Sequence, residues 1–176
     1  MKENGLIHLY CGDGKGKTTA SVGLLVRALG RGFRVVFLQF LKWQETGELA
    51  LLYSLDGVTV IRGEDIPHKF TWSMSETEKE ALAEIHNEMF RQAVSACGTE
   101  RCLLVLDELV GTYDMELIDK KMVTDFLENK PEGLEVVLTG RNPAPELLAV
   151  ADYVSEIRKV KHPMDRGIMA REGIEL

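Results

Sequence analysis

The fold class is indicated most clearly by the glycine-rich segment Cys11-Gly12-Asp13-Gly14-Lys15-Gly16-Lys17-Thr18-Thr19. It follows an apolar run at residues 6–11 and leads into residues 16–29, whose apolar positions have helical spacing. A glycine-rich turn between a strand and a helix, ending in Gly-Lys-Thr, is typical of a phosphate-binding loop. Its backbone N–H groups can converge on phosphate oxygens, and the helix directs the positive end of its dipole at the same point.

Individual side chains of this loop have predicted roles. Lys17 can reach phosphate oxygens, and the Thr18 hydroxyl can ligate Mg²⁺. Lys15 is an additional cation that either contacts phosphate or remains solvated. The loop departs from the strict pattern, because Cys11 takes the usual glycine position and Gly12 follows one residue later. The alternative is a glycine-rich turn that merely joins a strand to a helix, and the Gly-Lys-Thr-Thr ending argues against it.

A second apolar run, at residues 102–106, ends in the carboxylates Asp107 and Glu108. In open parallel sheets, ligands bind at the carboxyl ends of the strands. A strand placed beside the phosphate-loop strand would therefore bring both carboxylates close to a nucleotide-bound metal ion. The alternative is an acidic strand-to-loop turn at the surface. Together with the phosphate loop, the pair predicts a metal–nucleotide site.

The rest of the chain alternates short apolar runs with amphipathic stretches. Strands are predicted at residues 35–40, 58–61, 134–138 and 153–157, and helices at residues 75–96, 115–128 and 145–150. Ser75 and Glu78 predict a capping box at the start of the first of these helices. Runs that are apolar throughout indicate strands covered on both faces. We therefore expect an α/β fold, a P-loop NTPase-like (RecA-like) doubly wound, mostly parallel sheet of about five to six strands, forming a single domain over residues 1–176.

Composition and charge narrow the classes of function. The chain has 176 residues and a net charge of −7, which argues against a general nucleic-acid binder or a binder of acidic membranes. The charge is uneven: residues 1–43 carry seven basic and two acidic side chains, a balance of +5, and the remainder carries −12. No apolar stretch approaches the ~20 residues of a membrane span, and no signal peptide is recognisable, so we expect a cytoplasmic protein.

Three cysteines, an odd number without metal-ligand spacing, predict no disulfide framework. We expect two buried thiols and one thiol in a loop, in a reducing compartment.

Several motifs, in order along almost the whole chain, resemble the ATP:corrinoid adenosyltransferases of the P-loop type. They are the phosphate loop, Gln39-Phe40, Phe70-Thr71-Trp72, Leu106-Asp107-Glu108-Leu109, Thr139-Gly140-Arg141 and the segment at residues 154–162. The family's loop departs from the strict pattern in the same way as this one. The resemblance implies that a Co(I) corrinoid attacks the 5′ carbon of ATP and that inorganic triphosphate leaves.

The resemblance also implies roles for individual residues. It assigns ATP binding to Gly12, Asp13, Gly14, Lys15, Gly16, Lys17, Thr18 and Thr19, with Arg141 and Arg27 as further candidates. Thr18 and Glu108 would contact Mg²⁺ or Mn²⁺, and Asp107 would bind the ion through water. Phe70 and Trp72 would pack against the lower corrin face and, with Lys17 and Glu108, form the catalytic set. For Arg27 the alternative is a solvated helix arginine, and for Trp72 it is a staple between its loop and the helix that begins near Ser75.

The resemblance further implies that a reduced flavoprotein is the electron donor and that the protein is a homodimer. His68 and His162 are expected to have surface roles.

The competing hypothesis is an ATP-dependent regulator or NTPase switch on a RecA-like core, in which Glu108 would orient a water molecule. A switch has no need of the aromatic loop around Phe70 and Trp72.

Overall fold

The computed structural model describes residues 4–42, 46–63, 71–99 and 101–175. Its strands are β1 (Ile7–Cys11), β2 (Arg34–Gln39), β3 (Val58–Arg62), β4 (Cys102–Asp107), β5 (Glu135–Thr139) and β6 (Tyr153–Glu156). They form one sheet in the order β3-β2-β4-β5-β1-β6, and every neighbouring pair is parallel. The predicted α/β class and parallel sheet are confirmed.

Helices cover both faces of the sheet. They are α1 (Lys17–Leu29), α2 (Gly47–Ser54), α3 (Glu76–Cys97), α4 (Leu109–Asp114), α5 (Lys120–Glu128) and α6 (Pro145–Val150), with short 3₁₀ helices at Thr71–Ser73 and Pro163–Arg166. Strand β4 shows why its sequence is apolar throughout: Leu104 and Leu106 pack into one core, and Leu103 and Val105 into the other. Among the described residues, no helix is both long enough and apolar enough to span a bilayer.

Some local expectations are confirmed and others are wrong. The capping box of α3 is present, with reciprocal hydrogen bonds between Ser75 and Glu78. The helix expected over residues 115–128 begins only at Lys120, as α5, and the separate helix α4 before it was not predicted. The Asp119 carboxylate caps α5 by accepting from the N–H of Met122. Helix α2 was not predicted. All three cysteines are buried, so the expected loop thiol is wrong.

The strand order corrects the expected position of the acidic pair. Strand β4 does not lie beside the phosphate-loop strand β1, because β5 separates them. The registers Leu106 to Leu138 and Tyr10 to Thr139 nevertheless align the carboxyl ends of these three strands at one edge of the sheet. Thr139, at the end of β5, therefore lies at the same edge of the sheet as the phosphate loop and Asp107.

His86 on α3 gives the fold a dependence on pH. The side chain is completely buried, and Nδ1 lies 2.8 Å from the backbone oxygen of Leu117. Burial lowers its pKa from 6.5 to about 4. Between these values the unfolded chain binds more protons than the folded one. Above the unfolded pKa the neutral His86 therefore does not reduce the stability of the folded state. As the pH falls from the unfolded towards the folded pKa, the free energy of unfolding decreases.

We expect the free energy of unfolding to fall by about 2 kcal/mol between about pH 7 and about pH 5 through this histidine. Urea unfolding of the wild type and of His86→Gln at both pH values measures it. The variant lacks the titrating ring, so it should be less stable at neutral pH but should lose about 2 kcal/mol less on acidification. Equal losses in both proteins would contradict the assignment.

Candidate nucleotide-binding site

The phosphate loop lies at the carboxyl edge of the sheet and opens into a cavity of about 790 Å³. Residues 13–19 line this cavity. Gly16 precedes α1 with φ 119°, and no side chain caps the N-terminus of the helix. The first N–H groups of a helix have no partner inside it, so those of Lys17 and Thr18 are available to an anion in the cavity. The cavity volume is within the range of small-molecule sites.

Two loop glycines are required by a crossing backbone segment. A Cβ atom on Gly12 would lie 2.4 Å from the backbone oxygen of Ile157, and one on Gly14 would lie 2.8 Å from the same oxygen. Gly12 also has φ 105°, a conformation that favours glycine. Cys11, in contrast, is still in β1, where it is buried and pairs with Glu156. The tight turn thus begins one residue later than in the strict pattern, which explains the unusual glycine spacing.

The charged side chains of the loop have protein partners. Lys17 is half-buried, and its ammonium donates to the backbone oxygens of Gly12 and Gly14, each at 2.8 Å. Burial lowers its pKa. Lys15 is 47% exposed and forms an ion pair with Glu175 at 3.2 Å. Asp13 accepts from the N–H of Lys159 at 2.9 Å, and that hydrogen bond lowers the pKa of Asp13.

Asp107, which is completely buried, joins the phosphate loop to the end of the sheet. Its Oδ1 accepts from the hydroxyls of Thr18 and Thr139, both at 2.8 Å. Its Oδ2 accepts from Gln39 Nε2 at 3.1 Å and from Lys42 Nζ at 2.9 Å. Four donors, from α1, β2, β5 and the loop after β2, therefore hold one carboxylate directly behind Thr18.

The side chain of Glu108 lies in a different part of the site from the side chain of Asp107. Its backbone is left-handed, with φ 64°, and its N–H donates to the Thr139 hydroxyl at 2.9 Å. This turn places the Glu108 side chain in the wall of the cavity. Burial, and then the neighbouring Asp107, raise the pKa of Glu108. Such a carboxylate is destabilised in its charged form and would gain from a bound cation.

The other predicted site residues are distributed as follows. Thr19 and Arg141 line the cavity, whereas Arg27 is exposed in the last turn of α1 and does not. Trp72 is 80% exposed in the 3₁₀ helix Thr71–Ser73 and lies outside the cavity wall. Phe70 and His68 lie outside the described residues.

His162 was expected to have a surface role, but it lines the cavity, and its Nδ1 accepts from the N–H of Met164.

Several residues of the cavity wall were not predicted from the sequence, among them Lys42 and the segment at residues 173–175. Lys42 follows the carboxyl end of β2, so the rule that selected Asp107 had the signal to select it too. The segment at residues 173–175 also lines the cavity, beside the phosphate loop. No local pattern marks that contact, because it joins parts of the chain that are far apart in sequence.

A glycine-rich loop opening onto an uncapped helix, with a buried aspartate behind its threonine, defines a P-loop nucleotide-binding protein of the α/β class. The fold is similar to that of a KaiC-like protein from Pyrococcus horikoshii, with a TM-score of 0.50 at 17% identity over 90% of this chain and 75% of that chain. Residues 3–176 match the family model ATP:corrinoid adenosyltransferase BtuR/CobO/CobP, and the chain belongs to this family.

Named relatives agree with the family match. The chain is 36% identical to a corrinoid adenosyltransferase of a Sinorhizobium species, over 98% of this chain and 81% of that protein. It is 33% identical to the corrinoid adenosyltransferase of Escherichia coli K12, over 98% and 86% of the two chains, and 33% identical to that of Salmonella typhimurium, over 99% and 87%. The protein is thus an enzyme that transfers the adenosyl group of ATP to a corrinoid.

Proposed function

We propose that the Co(I) centre of a reduced corrinoid attacks the 5′ carbon of ATP held in this cavity. The cobalt electron pair forms the Co–C bond, the bond from C5′ to the phosphate oxygen breaks, and its electron pair leaves with inorganic triphosphate. The substrate supplies the nucleophile, so the protein needs neither a nucleophilic side chain nor a general base. Its tasks are to position ATP and to stabilise the leaving triphosphate. The main observation in support of the proposal is the hydrogen bond from Thr18 to Asp107. It connects the phosphate loop to the acidic end of β4, so that both belong to one site.

In this proposal the phosphate loop stabilises the charge that develops on the leaving group. The Lys17 ammonium leaves the backbone oxygens of Gly12 and Gly14 and binds phosphate oxygens instead. The N–H groups at the start of α1 donate to the same phosphates, with Lys15 and Arg141 as additional cations. All of these donors line the cavity or lie at its edge, so apart from the shift of Lys17 they are already placed around the leaving triphosphate.

We also propose a Mg²⁺ or Mn²⁺ ion held by Thr18 and Glu108, with Asp107 acting through water. The residues fit such an ion, because hard cations prefer hydroxyl and carboxylate oxygens. The amide oxygen of Gln39, next to Asp107, is buried without a hydrogen-bond partner among the described residues and can accept from an ordered water. No cluster of three potential metal ligands occurs in the described parts of the chain, so phosphate oxygens and water must complete the coordination. The bound ion would neutralise charge on the triphosphate.

For the corrinoid, we propose a wall formed by Phe70 and Trp72 against the lower face of the ring. Apolar bulk without a donor nitrogen favours loss of the axial ligand and hence reduction to Co(I). Trp72 supports this role because it is unusually exposed for a tryptophan. The hydroxyl of Thr71 lies 3.4 Å from Sδ of Met115, the residue that follows the helix beginning after Glu108. A reduced flavoprotein as electron donor and a homodimeric assembly complete the proposal.

We expect ATP and a chemically reduced corrinoid to give adenosylcorrinoid and triphosphate in equal amounts. The visible spectrum follows formation of the Co–C bond, and ion-exchange chromatography separates triphosphate from ADP and phosphate. A reaction without corrinoid is the control. ADP and phosphate formed at the same rate with or without corrinoid would support the NTPase switch instead.

A further inference from the structure

The ammonium of Lys42 contacts two of the three residues proposed to hold the divalent ion. Its Nζ lies 2.9 Å from Asp107 Oδ2 and 3.3 Å from Thr18 Oγ1. Both residues belong to the oxygen set assigned above to the divalent ion. A positive charge at this point compensates the buried Asp107 carboxylate, because an unpaired buried charge is strongly unfavourable.

The backbone is built to direct Lys42 into the site. Leu41 adopts the left-handed conformation with φ 59°, although it has a side chain, and it packs against the core. The Lys42 N–H donates to the backbone oxygen of Phe40 at 2.7 Å. The backbone oxygen of Lys42 accepts from Arg62 Nη2 at 2.7 Å. A strained leucine persists where its surroundings hold it, and here the turn returns the chain from the end of β2 towards Asp107.

We propose that Lys42 occupies the metal position until ATP arrives with the divalent ion, and that its ammonium then moves onto the triphosphate. This inference depends on the metal site of the proposed function. The ammonium and the ion cannot share the Asp107 and Thr18 oxygens, because two positive centres a few ångströms apart repel strongly in a partly buried site. Lys42 lines the cavity and is 28% exposed, and its flexible stem can carry the charge to the phosphates.

The proposal predicts that metal binding depends on nucleotide. Electron paramagnetic resonance of Mn²⁺, compared with a protein-free sample at the same ATP concentration because ATP itself chelates the ion, measures protein-bound Mn²⁺ without requiring adenosyl transfer. The wild type should bind Mn²⁺ at least about tenfold more weakly without ATP than with it. Lys42→Gln should weaken this dependence on nucleotide. Without nucleotide it should bind Mn²⁺ about tenfold more tightly than the wild type, and with Mn²⁺ it should bind ATP about tenfold more weakly.

The matched control is Lys79→Gln, which removes an ammonium paired with Glu76 on the surface of α3 and should change neither measurement. The wild-type titration alone can overturn the proposal, even if Lys42→Gln does not fold. If nucleotide-free wild type binds Mn²⁺ as tightly as the ATP complex does, Lys42 does not hold the position. If Mn²⁺ fails to bind even with ATP, both the metal assignment and this inference fail. If the wild type binds Mn²⁺ as expected but does not transfer the adenosyl group, only the proposed reaction is contradicted.

Discussion

Lys17→Ala is expected to lower kcat/KM for ATP by about 10²–10³-fold. The ammonium is half-buried at the start of α1, where it can meet the triphosphate in a partly desolvated cavity. Removing one preorganised donor to a developing negative charge has an effect of this size. The expected loss affects kcat as well as KM, because the leaving triphosphate is the species that Lys17 stabilises. Initial rates at saturating reduced corrinoid, with ATP varied, separate the two parameters.

Lys15→Ala is the matched control for Lys17→Ala. Both substitutions remove one ammonium from the same loop, but Lys15 is more exposed and already pairs with Glu175. We expect a change of a few-fold at most, since exposed ion pairs contribute about 0–1 kcal/mol. Lys17 also bonds to two loop carbonyls, so urea unfolding must show that the variant remains folded. Equal losses for the two lysines would mean that the loop attracts ATP by general charge and not through Lys17.

The features predicted from sequence are those set by neighbouring residues. The phosphate loop was found because its glycines and Gly-Lys-Thr ending are contiguous, and strand β4 because burial on both faces leaves an apolar run. The capping box of α3 depends only on residues three positions apart. Even the unusual Cys11-Gly12 spacing was visible, although its cause was not. The cause is the approach of Ile157 to the loop, which only the folded chain brings about.

The features missed depend on distant parts of the chain. Helix α2 has buried Leu49 and Leu52 but also an exposed Leu51, so its sequence lacks a clear apolar stripe. The position of β5 between β1 and β4 is a property of sheet assembly, and no local pattern reports it. Glu175 reaches Lys15 from near the other end of the chain. The phosphate loop lies within residues 1–43, whose charge balance is +5. The net charge of the whole chain, −7, does not reveal this local basic region.

Substitution of Trp72, in the proposed corrinoid wall, is expected to slow the reaction that starts from Co(II). Trp72→Ala should slow adenosylation that starts from Co(II) by about 10–100-fold, because the shell around a metal controls its ligation and potential. Adenosylation of corrinoid already reduced to Co(I) should change by only a few-fold, because the ATP site is untouched. Because Trp72 is 80% exposed, its loss should alter the free energy of unfolding far less than the loss of a buried tryptophan would.

Two further substitutions of Trp72 test whether the proposed wall depends on apolar bulk or only on an aromatic ring. Trp72→Phe should retain most of the activity from Co(II), whereas Trp72→His supplies a donor nitrogen and should be at least as slow as Trp72→Ala, since axial ligation disfavours Co(I). Tyr53→Ala removes another exposed aromatic side chain, on α2, and should have no effect. The electronic spectrum of the bound Co(II) corrinoid reports its axial ligation directly. If Trp72→His reduced and adenosylated Co(II) corrinoid as fast as the wild type, Trp72 could not be the wall that excludes an axial donor, and its exposure would need another explanation.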